Sequence, residues 1–293
     1  MPSAREMRLR IKSVRDLSQV TRALKTVSAS KVRKAVAANA ASLNYSRKAW
    51  QVLIDLARQP GHTSLHPLLC ERKNINRVLV IMVSSDKGLA GSYNMNVLRN
   101  TLEFFDALDS PVDYVCVGKK GRDLLLRRKI RVIADFSELA DPVSFLDISP
   151  ISRLVVDEFL SGTYDQVYLS FTRFESMTKQ IPEIQKLLPL EVDHKKQIEE
   201  KPRNSPTPVF TYEPEQKEIL DEIIPRFTGI QIFQATLSSQ ASEHAARTLA
   251  MANATDNANE LVSVLQLEYN KMRQQTITND ILDIVGGAAA HAN

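Results

Sequence analysis

Two stretches of the sequence contain neither glycine nor proline: Ser3 to Gln59 and Ile230 to Val285. Glycine and proline mark turns and element ends. Each stretch is therefore expected as one long uninterrupted helix, and the two flank a middle where the breakers gather. At ~1.5 Å per residue the first helix would run on the order of 80 Å. The chain has 293 residues, room for one modest domain plus two helices far longer than that domain is wide. The boundaries expected are 1–59 for an N-terminal coiled-coil helix, 60–212 for a central α/β domain, and 213–293 for a C-terminal coiled-coil helix and tail.

The first helix has a start signal. Ser3-Ala-Arg-Glu6 reads as a capping box, in which Ser and Glu each answer an orphan amide. Apolar or small residues then recur at steps of three and four, through Met7, Ile11, Val14, Leu17, Thr21, Leu24, Ser28, Val32, Ala35, Ala38 and Ser42. That is the period of a coiled-coil seam. The last helix is expected to begin near Pro214, to bend or break at Pro225, and to end at Gly286-Gly287. Its seam runs through Ile230, Leu237, Ala241, Ala245, Leu249, Ala252, Ala258, Val262, Leu265, Tyr269 and Met272. Much of both seams is Ala, Ser or Thr. Small seam residues let helix axes approach closely but bury less apolar area, so such a pair calls for a surrounding partner. Beyond the seam, Ile277, Ile281, Leu282, Ile284 and Val285 spread across almost half the helix circumference at ~100° per residue. An apolar helix end of that kind suits insertion into a greasy sleeve made by other chains.

Charge divides along the same lines. Residues 1–58 hold 13 Lys and Arg against 3 Asp and Glu, residues 59–212 hold 20 of each, and residues 213–293 hold 5 against 11. The formal net charge of +4 therefore hides a basic first helix and an acidic last one, natural companions. Two Cys cannot make a disulfide framework, so a reducing compartment is the default. The N-terminus starts no apolar signal segment, and no apolar run approaches the ~20 residues of a bilayer span. A soluble intracellular chain is expected.

The middle alternates strand and helix. Arg77 to Val83 is a continuous apolar run typical of a buried parallel strand. Helix is expected over Tyr93–Leu108, Lys119–Arg128 and Ile151–Leu160. Strand is expected over Val112–Val117, Arg131–Ala134 and Gln166–Thr172, with Lys179–Leu188 returning antiparallel to the last. This is an open, Rossmann-like α/β sheet. Lys195 to Pro208, rich in charge and proline, is a surface connection.

Catalytic chemistry finds little footing. Ser84-Ser-Asp-Lys-Gly-Leu-Ala-Gly91 follows a buried strand and precedes a helix, where α/β proteins place phosphate loops. Yet Gly91 is followed by Ser92-Tyr93 rather than Lys-Ser/Thr, and Gly88 and Gly91 complete no dinucleotide fingerprint. A tight turn shown to a partner is the better reading. His62, His66, His194, His244 and His291 have no metal-ligand spacing. Cys116, in a strand, is a buried structural thiol. The basic helix admits a solvated face, a DNA-reading region, or a track facing acidic protein surfaces. A DNA reader wants its charges at one end with a Leu-rich zipper after it, whereas these run along the helix.

In three segments the sequence resembles the gamma subunit of F-type ATP synthases. The first comprises Ile11-Lys-Ser-Val14, Val20-Thr-Arg-Ala-Leu24, Val27-Ser-Ala29 and Lys31-Val-Arg-Lys34. The second is Ser85-Asp-Lys-Gly-Leu-Ala-Gly91 with Tyr93-Asn94. The third runs from Ser242-Glu-His-Ala-Ala-Arg247 through Met251-Ala-Asn-Ala-Thr-Asp-Asn257, Glu268-Tyr-Asn-Lys271 and Arg273-Gln274 to Ile284-Val-Gly-Gly-Ala288. No insertion bears a Cys pair of the kind found in plant chloroplast forms. The resemblance implies a non-catalytic rotor without cofactor. The terminal helices would form an antiparallel coiled coil inside a hexamer of alternating alpha and beta subunits. The α/β domain would sit as a foot against the epsilon subunit and the membrane c-ring, at the cytoplasmic face of a bacterial membrane. Proton-driven rotation would cycle the beta sites. Carried over residue by residue, Arg273, Gln274 and Thr278 correspond to polar contacts with a beta-subunit loop. Arg22, Leu24, Lys25, Lys31, Arg33 and Lys34 correspond to a track near acidic beta-subunit segments. Asp86, Lys87 and Gly88 correspond to the loop touching the hexamer above the foot.

Overall fold

Strand β1 (Val78–Val83) is buried along its whole length, and its two faces belong to two different cores. Val78, Val80 and Met82 pack with Val97, Leu98, Cys116 and Leu125; Leu79, Ile81 and Val83 pack with Ile148, Ile151, Val155, Phe159, Ile232 and Leu237. A strand covered on both faces can be apolar without alternation, which is the meaning of the unbroken run in the sequence. The computed structural model describes residues 4–57, 67–72, 74–108, 110–190 and 216–291. Along the chain it contains α1 (Ala4–Ala57), a 3-10 turn (Pro67–Leu69), β1, α2 (Tyr93–Phe105), β2 (Val112–Val117), α3 (Lys119–Arg127), β3 (Val132–Phe136), α4 (Phe145–Leu160), β4 (Gln166–Phe174), β5 (Gln180–Leu188) and α5 (Gln216–His291). The five strands are ordered β3-β2-β1-β4-β5. The first four are parallel, and β5 runs antiparallel to β4. The α/β reading with long terminal helices is the fold observed.

Three expectations need correction. The fourth helix starts at Phe145, not Ile151. Ser144 and Asp147 form a capping box, and Pro150 lies inside the helix. The carbonyl that Pro150 leaves without an i+4 donor belongs to Leu146, which is 81% exposed, so water can serve it. Pro225 does not break α5. Ile224, Phe227, Thr228 and Ile230 around it are all buried, and that packing outweighs a local cost of about 3 kcal/mol. Gly286-Gly287 does not end α5 either; the helix runs to His291. Glycine in a helix costs about 1 kcal/mol relative to alanine, and the run Ala288-Ala-Ala290 offsets it with the best helix former. The capping box at Ser3, the start near Pro214 and the connection at 195–208 lie outside the described residues.

Contacts divide the chain into two units whose border cuts both long helices: Met1–Ser28 with Arg247–Asn293, and Ala29–Ala246. In the first unit α1 and α5 run antiparallel. Arg15 donates to Gln266 at 3.2 Å, Ser18 to Asn259 at 2.7 Å, and the Thr21 and Thr255 hydroxyls meet at 2.7 Å, so the partner number falls as the α1 number rises. The seam differs from the expected one at two places. Leu17 is 56% exposed and Leu249 44%, while Ser18 and Thr248 are buried in their stead. A count of apolar residues favours leucine; the interface instead mixes Met7, Ile11, Met251 and Ala258 with hydroxyls that allow close approach.

In the second unit α2 and α3 cover one face of the sheet and α4 and α5 the other. Gly118, at φ +101°, ends β2; a Cβ there would lie 2.3 Å from the Ser84 carbonyl oxygen. The close approach of these two chain segments therefore requires glycine.

The Thr21–Thr255 pair yields a test. Each hydroxyl has one proton, and each also has a backbone carbonyl within reach, Ser18 and Met251 respectively. One hydroxyl donates to its own helix and the other donates across the seam. Thr21→Val alone strips Thr255 of its cross-helix partner and should destabilise by about 1 kcal/mol. Adding Thr255→Val should recover most of that loss, read as a positive coupling in a double-mutant denaturation cycle.

Candidate interaction surface

The residues carried over from the family resemblance all lie among the described residues. Beyond the seam, α5 exposes Ile277, Ile281, Leu282, Ile284 and Val285, at 48–72%. Arg273, Gln274 and Thr278 lie beside them, also exposed. The Thr278 hydroxyl donates back to the Gln274 carbonyl at 2.9 Å, which leaves its lone pairs outward. This stretch thus presents apolar residues and a short polar strip to the surroundings, with no second element of the described chain covering it.

The basic residues of α1 separate into two kinds. Arg22, Lys25, Arg33 and Lys34 are exposed and form no ion pair among the described residues. Lys31 instead donates to Asp141 Oδ2 at 2.7 Å, and Leu24 is half-buried. Asp141 also accepts from His244 Nε2 at 2.9 Å. Burial pushes the Asp141 carboxyl up, but the hydrogen bonds from His244 and Lys31 outweigh it and hold the group well below the usual carboxylate range. Neither Asp141 nor its bond to His244 is visible in the sequence, because the two are 103 residues apart rather than at a helical spacing.

The loop after β1 also divides. Asp86 turns inward and accepts from the Lys119 and Glu138 amides, both at 3.0 Å. Ser85 donates to the Lys87 carbonyl, and Asn94 accepts from the Ser85 amide. Lys87, Gly88 and Leu89 face outward. The turn is held from within by its own side chains and displays three residues. A ligand crevice would be expected just beyond, at the carboxyl ends of the strands. Here α5 narrows it to a small cavity. Ser239 Oγ accepts from the Thr172 amide at 3.1 Å and meets the Tyr93 hydroxyl at 3.0 Å. Ser238 Oγ accepts from the Phe174 amide, and Ser242 donates to the Thr172 carbonyl.

The buried titratable groups are structural in character. Burial pushes the Cys116 thiol up to about 12, which removes it as a nucleophile at neutral pH. Tyr164 is also raised to about 12, by burial and by donating to Asp113 at 2.8 Å. Among the described residues, no group of three or more His, Cys, Asp or Glu side chains could hold a metal ion.

A family model described as ATP synthase matches residues 3–291. The ATP synthase gamma chain of Dehalococcoides mccartyi is 41% identical over 296 residues, covering 100% of both chains. That of a Roseiflexus species is 41% identical over 297 residues, covering 100% of this chain and 99% of the relative. The chain belongs to the ATP synthase gamma-chain family. Its fold is also that of chains in solved ATP synthase structures. A chain in the Euglena gracilis mitochondrial ATP synthase OSCP/F1/c-ring structure, rotational state 3, superposes with a TM-score of 0.66 at 19% identity, covering 98% of this chain and 94% of that one. A chain in the Tetrahymena thermophila central stalk/c-ring structure gives 0.60 at 22%, covering 80% and 99%.

The inward and outward residues of the β1–α2 loop should part company on substitution. Asp86→Ala leaves two amides without an acceptor and should cost about 2 kcal/mol in denaturant unfolding. Lys87→Ala, on the displayed side, should stay within about 0.5 kcal/mol of the parent.

Proposed function

We propose that this gamma-family chain is the central-stalk rotor of a proton-translocating ATP synthase. It turns inside a hexamer of alternating alpha and beta subunits, couples rotation of the membrane c-ring to the cycling of the beta-subunit catalytic sites, and regulates ATPase activity in doing so. The single observation that carries this reading is the uncovered apolar end of α5. A helix exposing Ile277, Ile281, Leu282, Ile284 and Val285 in a chain of this family is a shaft tip waiting for a sleeve. The chain itself is non-catalytic, and nucleotide chemistry belongs to beta.

Arg273, Gln274 and Thr278, beside that tip, would supply polar contacts to a beta-subunit loop. Arg22, Lys25, Arg33 and Lys34 form the free part of the track facing acidic beta segments, with Leu24 between them. Lys87 and Gly88 are the displayed part of the loop that meets the hexamer, and Asp86 positions them. The α/β unit serves as the foot, against the epsilon subunit and the ring. No helix among the described residues is long and apolar enough to cross a membrane, which suits a subunit held peripherally, at the cytoplasmic face, through the complex. No nucleic acid is required, since the exposed cations run along a helix that also offers hydroxyls to a partner helix.

The test is co-purification. Tagged alpha and beta subunits should bring down one copy of this chain per hexamer. Arg273→Ala with Gln274→Ala should lower ATP-driven rotation or assembly severalfold. A double variant that assembles and turns at the parent rate would exclude the polar contact assigned to those residues.

A further inference from the structure

We infer that Asp141 is the joint by which the α/β unit grips both terminal helices, a positioning residue for torque transfer; the inference rests on the rotor reading above. Asp141 lies on the connection between β3 and α4, a segment that carries no conspicuous motif. Its Oδ2 accepts from Lys31 Nζ of α1 at 2.7 Å and from His244 Nε2 of α5 at 2.9 Å. One carboxylate oxygen thus ties two helices to one loop.

Gln240, one helical turn before His244, holds the same loop at two further points. Its Nε2 donates to the Ala140 carbonyl at 2.9 Å, and its Oε1 accepts from the Val143 amide at 3.0 Å. Val143 and His244 are each 4% exposed, so the loop is anchored in the core at one side and against α5 at the other. Elsewhere α1 meets the α/β core through Ala38 and Ala49, and α5 meets it through Ile, Leu and Phe side chains and through the bonds of Ser238, Ser239 and Ser242 to β4. Apolar burial is non-directional. Charge-assisted hydrogen bonds are short and fix an angle as well as a distance. A twist applied to the helices reaches the foot through contacts that define direction, and Asp141 supplies two of them at once.

The experiment uses the whole ATP synthase, reconstituted in vesicles, with a rotational probe on the α/β unit. Asp141→Asn should assemble with alpha, beta and the ring in the parent ratio and hydrolyse ATP at the parent rate. Its proton pumping per ATP should fall at least twofold. The torsional stiffness read from angular fluctuations of the probe should fall by a similar factor. Asp141→Glu keeps the charge and should restore most of both. Unchanged stiffness and pumping in Asp141→Asn would overturn the inference, as would a loss that Asp141→Glu leaves uncorrected. Should Asp141→Asn fail to assemble, Lys31→Gln and His244→Gln each remove one arm. Each should then give an intermediate stiffness, and parent stiffness in both would count against the joint. Failure of the unsubstituted chain to join alpha and beta would instead refute the rotor reading.

Discussion

The structure depends first on two helices lying side by side through a seam that is small and hydroxylic rather than greasy. Ser18 against Asn259 and Thr21 against Thr255 bring the helices close at little steric cost. They also give the buried Ser18 hydroxyl an acceptor and join across the seam two threonines that each reach a carbonyl of their own helix. What such a seam lacks is area. Each turn buries little apolar surface, and the leucines that would normally fill it, Leu17 and Leu249 among them, point outward. A pair built this way leaves leucines such as Leu17 and Leu249 on its exterior, among exposed basic residues. It is suited to being enclosed, and much of its stability in service would come from the enclosing chains.

The α/β unit solves the opposite problem. Its central strands are buried on both faces, and α5 is an integral part of that burial, with Ile224, Phe227, Ile232, Ala235 and Leu237 all in the core. The same helix narrows the crevice where an α/β sheet of this kind would take a ligand to a small cavity, and uses Ser238, Ser239 and Ser242 to bond β4 backbone groups. A fold that elsewhere serves as a binding scaffold is here spent on holding a helix. That use agrees with a subunit that transmits motion and leaves chemistry to its neighbours.

Much of this is legible in the residues. The absence of glycine and proline from two long stretches marks α1 and α5, and the unbroken apolar run marks β1. β2 is readable to its observed ends, because strand pattern and breakers agree there. Where sequence and structure part, one cause recurs. Pro150, Pro225 and Gly286-Gly287 each suggest a helix boundary by local chemistry alone. A missing donor or a missing Cβ is only a modest local cost, however, and tertiary burial or favourable neighbours overrule it. The seam shifts away from Leu17 and Leu249 because close approach, rather than apolarity, selects its residues. The Asp141 joint has no spacing by which to find it. Its three members, Lys31, Asp141 and His244, are brought together only by the fold, and a lone Asp in a loop carries no local signature. The displayed residues Lys87, Arg273 and Gln274 become visible through resemblance to a family rather than through physics.

This chain is expected to turn as one rotor within its hexamer. The most direct measurement fixes the alpha–beta hexamer to a surface, attaches a bead or rod to the α/β unit of this chain, and supplies ATP. One-way rotation is expected, with one set of pauses per beta subunit in each turn, abolished when polar substitution of Ile277, Ile281 and Leu282 loosens the shaft tip in its sleeve. A probe that stays still while the hexamer hydrolyses ATP, or that diffuses equally in both directions, would contradict it.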